Sequence, residues 1–166
     1  VQPKVIGDTY IENLGSLKIG DHFHLSSHPI QSHLVVGPNG SLTIGDGVRI
    51  AHGAAISANL QVHIGDRVSI GARVVIMDSD FHAREAGGDI PAGMIVIGDD
   101  VTIGDDTVIM RGAQIDQGVK VLAGSVVVGR ITEQSIVSGV PARPVRSGTQ
   151  NHSLPDNYEA RIRLVV

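Results

Sequence analysis

Residues 78–82 read Asp-Ser-Asp-Phe-His, two carboxylates and an imidazole at every second position. An imidazole titrates near neutrality, so it suits the task of taking a proton from a hydroxyl at pH 7. A carboxylate beside it fixes the ring tautomer and stabilises the imidazolium that forms. The same three residues would also suit a metal chelate or a solvated polar turn. If the segment is extended, Asp78, Asp80 and His82 project to one side, because side chains alternate along a strand. They stand at the root of the largest interruption in the chain, residues 82–96 (HAREAGGDIPAGMIV), where Gly87, Gly88, Pro91 and Gly93 make a turn-rich arm. Long loops on rigid scaffolds often carry function. Motif and loop together point to catalysis, with His82 as the base and Asp80 or Asp78 as its partner.

The elements that position this motif form a repeat. Ile-Gly-Asp recurs at Ile6, Ile19, Ile44, Ile64, Ile97 and Ile103. Around it an aliphatic residue returns every six positions: Ile44, Ile50 and Ile56; then Ile64, Ile70 and Ile76; then Ile97, Ile103, Ile109, Ile115, Val121 and Val127. A six-residue step fits neither an amphipathic helix nor a long flat strand, but it fits a short strand followed by a tight turn. The fuller string, aliphatic-x-Ile-Gly-Asp, begins at Leu17, Leu42, Val62 and Ile95, so the steps exceed three sixes by 7, 2 and 15 residues. Coils of three sixes, stacked, would carry all three excesses along one edge of a column.

Composition agrees with a single domain built on aliphatic side chains. The chain has 166 residues, 42% of them hydrophobic and only 2% aromatic. A net charge of −4 gives no field for gathering nucleic acid or anionic lipid. The absence of cysteine excludes disulfides, a thiolate zinc site and a cysteine nucleophile. There is no apolar run of membrane-spanning length and no signal peptide, so a cytoplasmic location without membrane insertion is expected. Val1 is not an initiator Met, which fits a processed or trimmed chain.

The hexapeptides, the D-S-D-F-H motif with its Gly/Pro loop and following I-V-I-G-D-D, and two closing strings resemble the hexapeptide-repeat acyltransferases. The closing strings are Ala123-Gly124-Ser125-Val126-Val127 and Gly139-Val140-Pro141-Ala142-Arg143. The similarity spans about residues 40–146 and is strongest to the sugar and polysaccharide O-acetyltransferase branch. It implies an all-β fold, a left-handed parallel β-helix over residues 1–146, with residues 147–166 as a cap or docking tail. In that tail Tyr158, Ala160, Ile162 and Leu164 alternate with Glu159, Arg161 and Arg163 like a strand, whereas Ser153 with Asp156 would start a short helix.

The resemblance further implies direct transfer of an acetyl group from acetyl-CoA to a sugar hydroxyl, with His82 as general base. It implies coenzyme A contacts near Ala123 and at the basic residues Arg143 and Arg146, no metal, and a homotrimer with active sites between subunits. The sequence departs from the family where Val128-Gly129-Arg130 replaces a common Thr-Lys-Asp and where Thr102 replaces a common Trp. Arg130 would stand in for the missing lysine. Two other readings compete: a non-catalytic trimerisation scaffold, and a zinc hydratase like the gamma-class carbonic anhydrases. For the latter His52, His63 and His82 are poorly spaced. His22, His24, His28 and His33 crowd one N-terminal region and are read as surface polar residues. The residue types leave open whether the acceptor is a hydroxyl or an amine, and which aspartate serves His82.

Overall fold

The computed structural model describes residues 2–80 and 88–145. Among these there is no helix; the chain winds through short strands in a left-handed parallel β-helix of three sheets. The first coil comprises β1 (Lys4–Ile6), β2 (Tyr10–Asn13) and β3 (Ser16–Ile19). The second is β4 (His24–Ser26), β5 (His33–Val36) and β6 (Ser41–Ile44), and the third β7 (Arg49–Ile50), β8 (Ala55–Ala58) and β9 (Gln61–Ile64). The fourth is β10 (Ser69–Ile70), β11 (Val75–Met77) and β12 (Ile95–Ile97). The fifth is β13 (Thr102–Ile103), β14 (Val108–Ile109) and β15 (Gln114–Ile115), and the sixth β16 (Lys120–Val121), β17 (Val126–Val127) and β18 (Arg130–Ile131). β19 (Ile136–Gly139) starts a seventh coil, and β20 (Ala142–Pro144) folds back antiparallel on it.

The sixfold aliphatic positions are the three inner ladders. Leu25, Ile50, Ile70, Ile103, Val121 and Val137 stack in the first sheet. Leu34, Ile56, Ile76, Ile109 and Val127 stack in the second, and Ile44, Ile64, Ile97, Ile115 and Ile131 in the third. All are at most 6% exposed. Burying each such side chain contributes about 1.5–3 kcal/mol, so the ladders supply the main driving force for stacking.

The Ile-Gly-Asp triplet joins one coil to the next at the corners. Asp46 Oδ1 accepts the backbone N–H of Asp21 at 2.7 Å, Asp66 that of Asp46 at 2.8 Å, and Asp99 that of Asp66 at 2.9 Å. Asp105 does the same for Ala72 at 2.8 Å. The glycine is required because the next coil's carboxylate occupies the space above it: a Cβ on Gly45 would collide with Asp66 Oδ1 and lie 2.7 Å from the Gly65 carbonyl carbon. Two further staples cross coils on the outside, Arg67 onto Asp100 and Arg73 onto Asp106, each with two hydrogen bonds of 2.6–2.8 Å. The guanidinium partner in each pair holds the Asp100 and Asp106 carboxyls below their ordinary value.

Two boundaries differ from the sequence reading. The long excursion occupies 78–94 rather than 82–96, because Ile95 is already back in the column, buried and paired with Val62. The seven-residue excess is also split. Leu25 to Leu34 is nine positions where the equivalent Ile50 to Ile56 is six, so part of it lies at Ser27 and Ser32, at the corner between the first and second sheets. The excesses of 2 and 15 do share the corner between the second and third sheets. The 147–166 tail lies outside the described residues.

Gly45→Ala is expected to lower unfolding stability by at least about 2 kcal/mol, measured by denaturant titration, since neither the backbone nor the clamped carboxylate can give way. A folded carboxyl with a lowered pKa contributes stability above its unfolded value and loses it as pH falls through the folded one. The melting temperature of an Asp100→Asn/Asp106→Asn double variant should therefore lie below that of the parent near neutrality. The gap should close as pH falls below 3.8, the ordinary value of these groups.

Candidate active site at the root of the long excursion

The excursion leaves the column at the corner after β11. One coil earlier, the N–H groups of Gly37 and Ser41 at this corner reach the carbonyls of Ala58 and Leu60 in the coil above. Above Asn59 and Leu60 the chain has turned away, and the carboxylate of Asp78 takes the place of those carbonyls. Its Oδ1 accepts the N–H of Asn59 at 2.8 Å and its Oδ2 that of Leu60 at 2.7 Å. Asp78 is 0% exposed. With both oxygens committed to backbone donors, the buried carboxylate holds the corner closed beneath the loop.

The two limbs of the excursion are tied together directly above. Ser79 and Ala92 form an antiparallel bridge, Asp80 N–H donates to the Pro91 carbonyl at 3.0 Å, and Gly93 N–H to the Asp78 carbonyl at 2.8 Å. The returning limb rests on the fifth coil, where Gly112 N–H donates to the Gly93 carbonyl at 2.8 Å. A Cβ on Gly93 would lie 2.9 Å from Gly112 N, so only glycine allows this approach.

Asp80 faces the opposite way. Its Oδ1 accepts Arg111 Nε at 2.7 Å, from the equivalent corner one coil further on. Both side chains are about 30% exposed (31% for Arg111, 29% for Asp80). The expectation that Asp78 and Asp80 project together is thus corrected: one reaches down the column and the other up, because the segment is pinned at Ser79 rather than running as a free strand. Of the two carboxylates only Asp80 meets solvent. Beside them a cleft of about 290 Å³ is lined by Asn59, Ser79, Ile90 and Ala92, with Asn59 Nδ2 donating to Ser79 Oγ at 3.1 Å. His82 lies outside the described residues.

Arg111 and Asn59 were not singled out from the sequence. Each is visible only through register, since Arg111 stands one coil after the excursion and Asn59 one coil before it.

The residues expected to meet coenzyme A fall into two groups. Ala123 is exposed at the corner between β16 and β17, beside Leu122 and Gly124. Arg143 is exposed on β20, with Nη1 donating to the Ala142 carbonyl at 3.1 Å. Both lie at the C-terminal end of the column. Arg130 lies a sheet further round, on β18, where its Nη2 pairs with Asp116 at 2.9 Å. Arg146 lies outside the described residues.

The histidines are dispersed. His24 and His63 stand on strands, and the His33 ring lies 5.5 Å from that of Tyr10. His52 sits at a corner with Nδ1 buried and unpartnered. Among the described residues no three His, Asp, Glu or Cys side chains are grouped to hold a metal. No helix among them is long and apolar enough to cross a membrane.

No family model matches the chain. Individual proteins do. WbbJ of Escherichia coli (strain K12), provisionally named a lipopolysaccharide biosynthesis O-acetyl transferase, is 29% identical over 149 residues, 82% of this chain and 74% of that protein. Rv3034c of Mycobacterium tuberculosis, provisionally named an acetyltransferase, is 31% identical over 140 residues; the match takes in 81% of this chain but only 45% of the longer protein. Among solved structures, the hexapeptide-repeat containing acetyltransferase VCA0836 of Vibrio cholerae superposes with a TM-score of 0.61 at 30% identity, covering 79% of this chain and 71% of that one. A second structure of VCA0836 holds acetyl coenzyme A. The stacked hexapeptides, the excursion at one corner and these likenesses place the chain in the hexapeptide-repeat acetyltransferase family, as an acyltransferase.

Proposed function

We propose that the protein transfers an acetyl group from acetyl-CoA to a hydroxyl of a sugar or saccharide precursor, at the root of the 78–94 excursion. The observation that carries this reading is the arrangement there: a solvent-reaching carboxylate, Asp80, held by Arg111 beside a cleft lined by Asn59, Ser79, Ile90 and Ala92, in a chain of this family. His82, two residues beyond Asp80, takes the acceptor's proton as the acceptor oxygen attacks the thioester carbonyl. The tetrahedral intermediate then expels the thiolate of coenzyme A, which recovers that proton from the imidazolium. General-base help of this kind contributes about 10²–10⁴-fold. The chain has no cysteine, which favours direct transfer over a thioester acyl-enzyme.

Coenzyme A, in this reading, lies along the C-terminal corner at Ala123, with Arg143 and Arg146 facing its phosphates through charge-assisted bonds. Arg130 is a weaker candidate because Asp116 already engages it. The loop root and the Ala123 corner lie on the two margins of the second sheet, so a substrate pair touching both runs across the outer face of that sheet. Over coils three to six that face is largely apolar, with Ala55, Val75, Val108 and Val126 in one register row. One coil lower the same row carries His33, and the parallel outward row carries Ser57. The first sheet instead presents His24, Arg49, Ser69, Thr102 and Lys120. An apolar outer face favours burial against a second copy, and we take the working form to be a homotrimer with sites between subunits. The use of acetyl-CoA suits a cytoplasmic location.

His82→Ala should fold normally and lose about 10²–10⁴-fold in acceptor-dependent release of free CoA, read with a thiol reagent; activity within a few-fold of the parent removes His82 as base. The two aspartates should separate cleanly. Asp78→Asn puts an amide donor against a backbone N–H and should cost about 1–3 kcal/mol of stability. Asp80→Asn should leave the melting temperature close to the parent and reduce turnover. Light scattering should return three times the 17.4 kDa chain mass; a monomer defeats shared sites.

A further inference from the structure

The two closing strings of the sequence, Ala123-Gly124-Ser125 and Gly139-Val140-Pro141-Ala142, are distant in the chain and meet at one buried hydroxyl. Ser125 is 0% exposed. Its Oγ donates to the Leu122 carbonyl at 2.6 Å, closing the corner that carries Ala123, and accepts the N–H of Gly139 at 3.3 Å. Gly139 has φ +102° and starts the reversal that pairs β19 with β20, setting Gly139 opposite Ala142 and Ser138 opposite Arg143. β17 is the last strand of the second sheet, so no further coil covers Ser125. The hydroxyl takes the place of that absent coil and fixes where the chain turns back.

The position itself does not require serine for packing. The equivalent residues down the column are Ser32, Ala54, Val74 and Thr107, each of which gives its carbonyl to, or takes its place in, the same backbone ladder. Valine and threonine are therefore accommodated at this level of the fold. Thr107, one coil below, also aims its hydroxyl at the Leu122 carbonyl, at 3.4 Å. Ser32 likewise donates to the Ser26 carbonyl at 2.8 Å and accepts the Ala54 N–H at 3.2 Å, which ties one coil to the next. What is particular to Ser125 is that its second partner, Gly139, belongs to the chain reversal.

We propose that Ser125 is a positioning residue for the acyl donor: its hydroxyl fastens the 139–142 reversal to the 122–125 corner and so sets the spacing between Ala123 and Arg143 across which coenzyme A binds. This rests on the coenzyme A reading above, and the experiment separates the two. Ser125→Thr keeps the hydroxyl, and Ser125→Val has the same shape without it. Coenzyme A affinity of the full chain is measured by calorimetry, together with KM for acetyl-CoA, KM for the acceptor, kcat and melting temperature. The Val variant should bind coenzyme A about tenfold more weakly and raise the acetyl-CoA KM to match, with acceptor KM and kcat little changed, as expected for loss of a bond worth about one order of magnitude. The Thr variant should restore parental values. Asp46→Ala, which removes the carboxylate that accepts the Asp21 N–H far down the column, serves as a control that lowers the melting temperature without moving coenzyme A affinity.

If the Val variant loses thermal stability but binds coenzyme A like the parent, Ser125 is only a structural residue and the inference fails. A Thr variant as weak as the Val variant overturns it too. If the parent itself shows no coenzyme A binding, the failure lies in the functional reading instead.

Discussion

The structure depends on one contact repeated through its middle coils, a carboxylate of one coil accepting a backbone N–H from the coil before it. The Asp46, Asp66 and Asp99 bonds are short, 2.7–2.9 Å, and run along one corner. Each demands a glycine beneath it, and each glycine in turn demands that the next coil arrive in register. The contact therefore works as a gauge as well as a bond. It fixes how far one coil may rotate against the next, and the aliphatic ladders then fall into line. Ladders alone would tolerate a slip, because one isoleucine is much like another.

The loop root reuses the same device for a different purpose. Asp78 does at the second corner what Asp46 and Asp66 do at the third, offering carboxylate oxygens to backbone N–H groups of the coil below. Here the donors have lost their backbone partners because the chain has left the column. A fifteen-residue insertion is thus accommodated without orphaning buried polar groups, which would each cost about 1–3 kcal/mol. The price is that Asp78 is spoken for, and of the two carboxylates only Asp80 reaches solvent.

Much of this was legible in the sequence. The period of six and the Ile-Gly-Asp triplets identify the coils and the inner ladders from Ile44 to Val127, but not the second buried aliphatic row at Val48, Val68, Val101 and Val119. Ile6, though in a triplet, is 41% exposed because it lies in the first coil. The position of the excursion also follows from counting. What could not be read was the difference between Asp78 and Asp80. Both are aspartates two residues apart, and their separation depends on Asn59 and Leu60 nineteen and eighteen residues back and on Arg111 thirty-one residues on. Counting also placed the loop's return a little late, at 96, since nothing in I-V-I says that the first isoleucine is already inside. Ser125 was noticed as part of a string, but its bond to Gly139 belongs to a reversal of chain direction that no hexapeptide announces.

The reversal at β19 and β20 sits three coils above the strand from which the excursion departs. Each coil advances the column by about 4.8 Å, the spacing of paired strands. The fold is therefore a ruler as much as a container. Inserting a further coil between Asp80 and Ser125 would extend the same aliphatic ladders without changing their spacing. It would nonetheless move the loop root by one graduation relative to the 122–125 corner. Folding in this architecture is blind to that distance, while any ligand that must touch both ends is not. Stability alone thus leaves the number of coils between the two open.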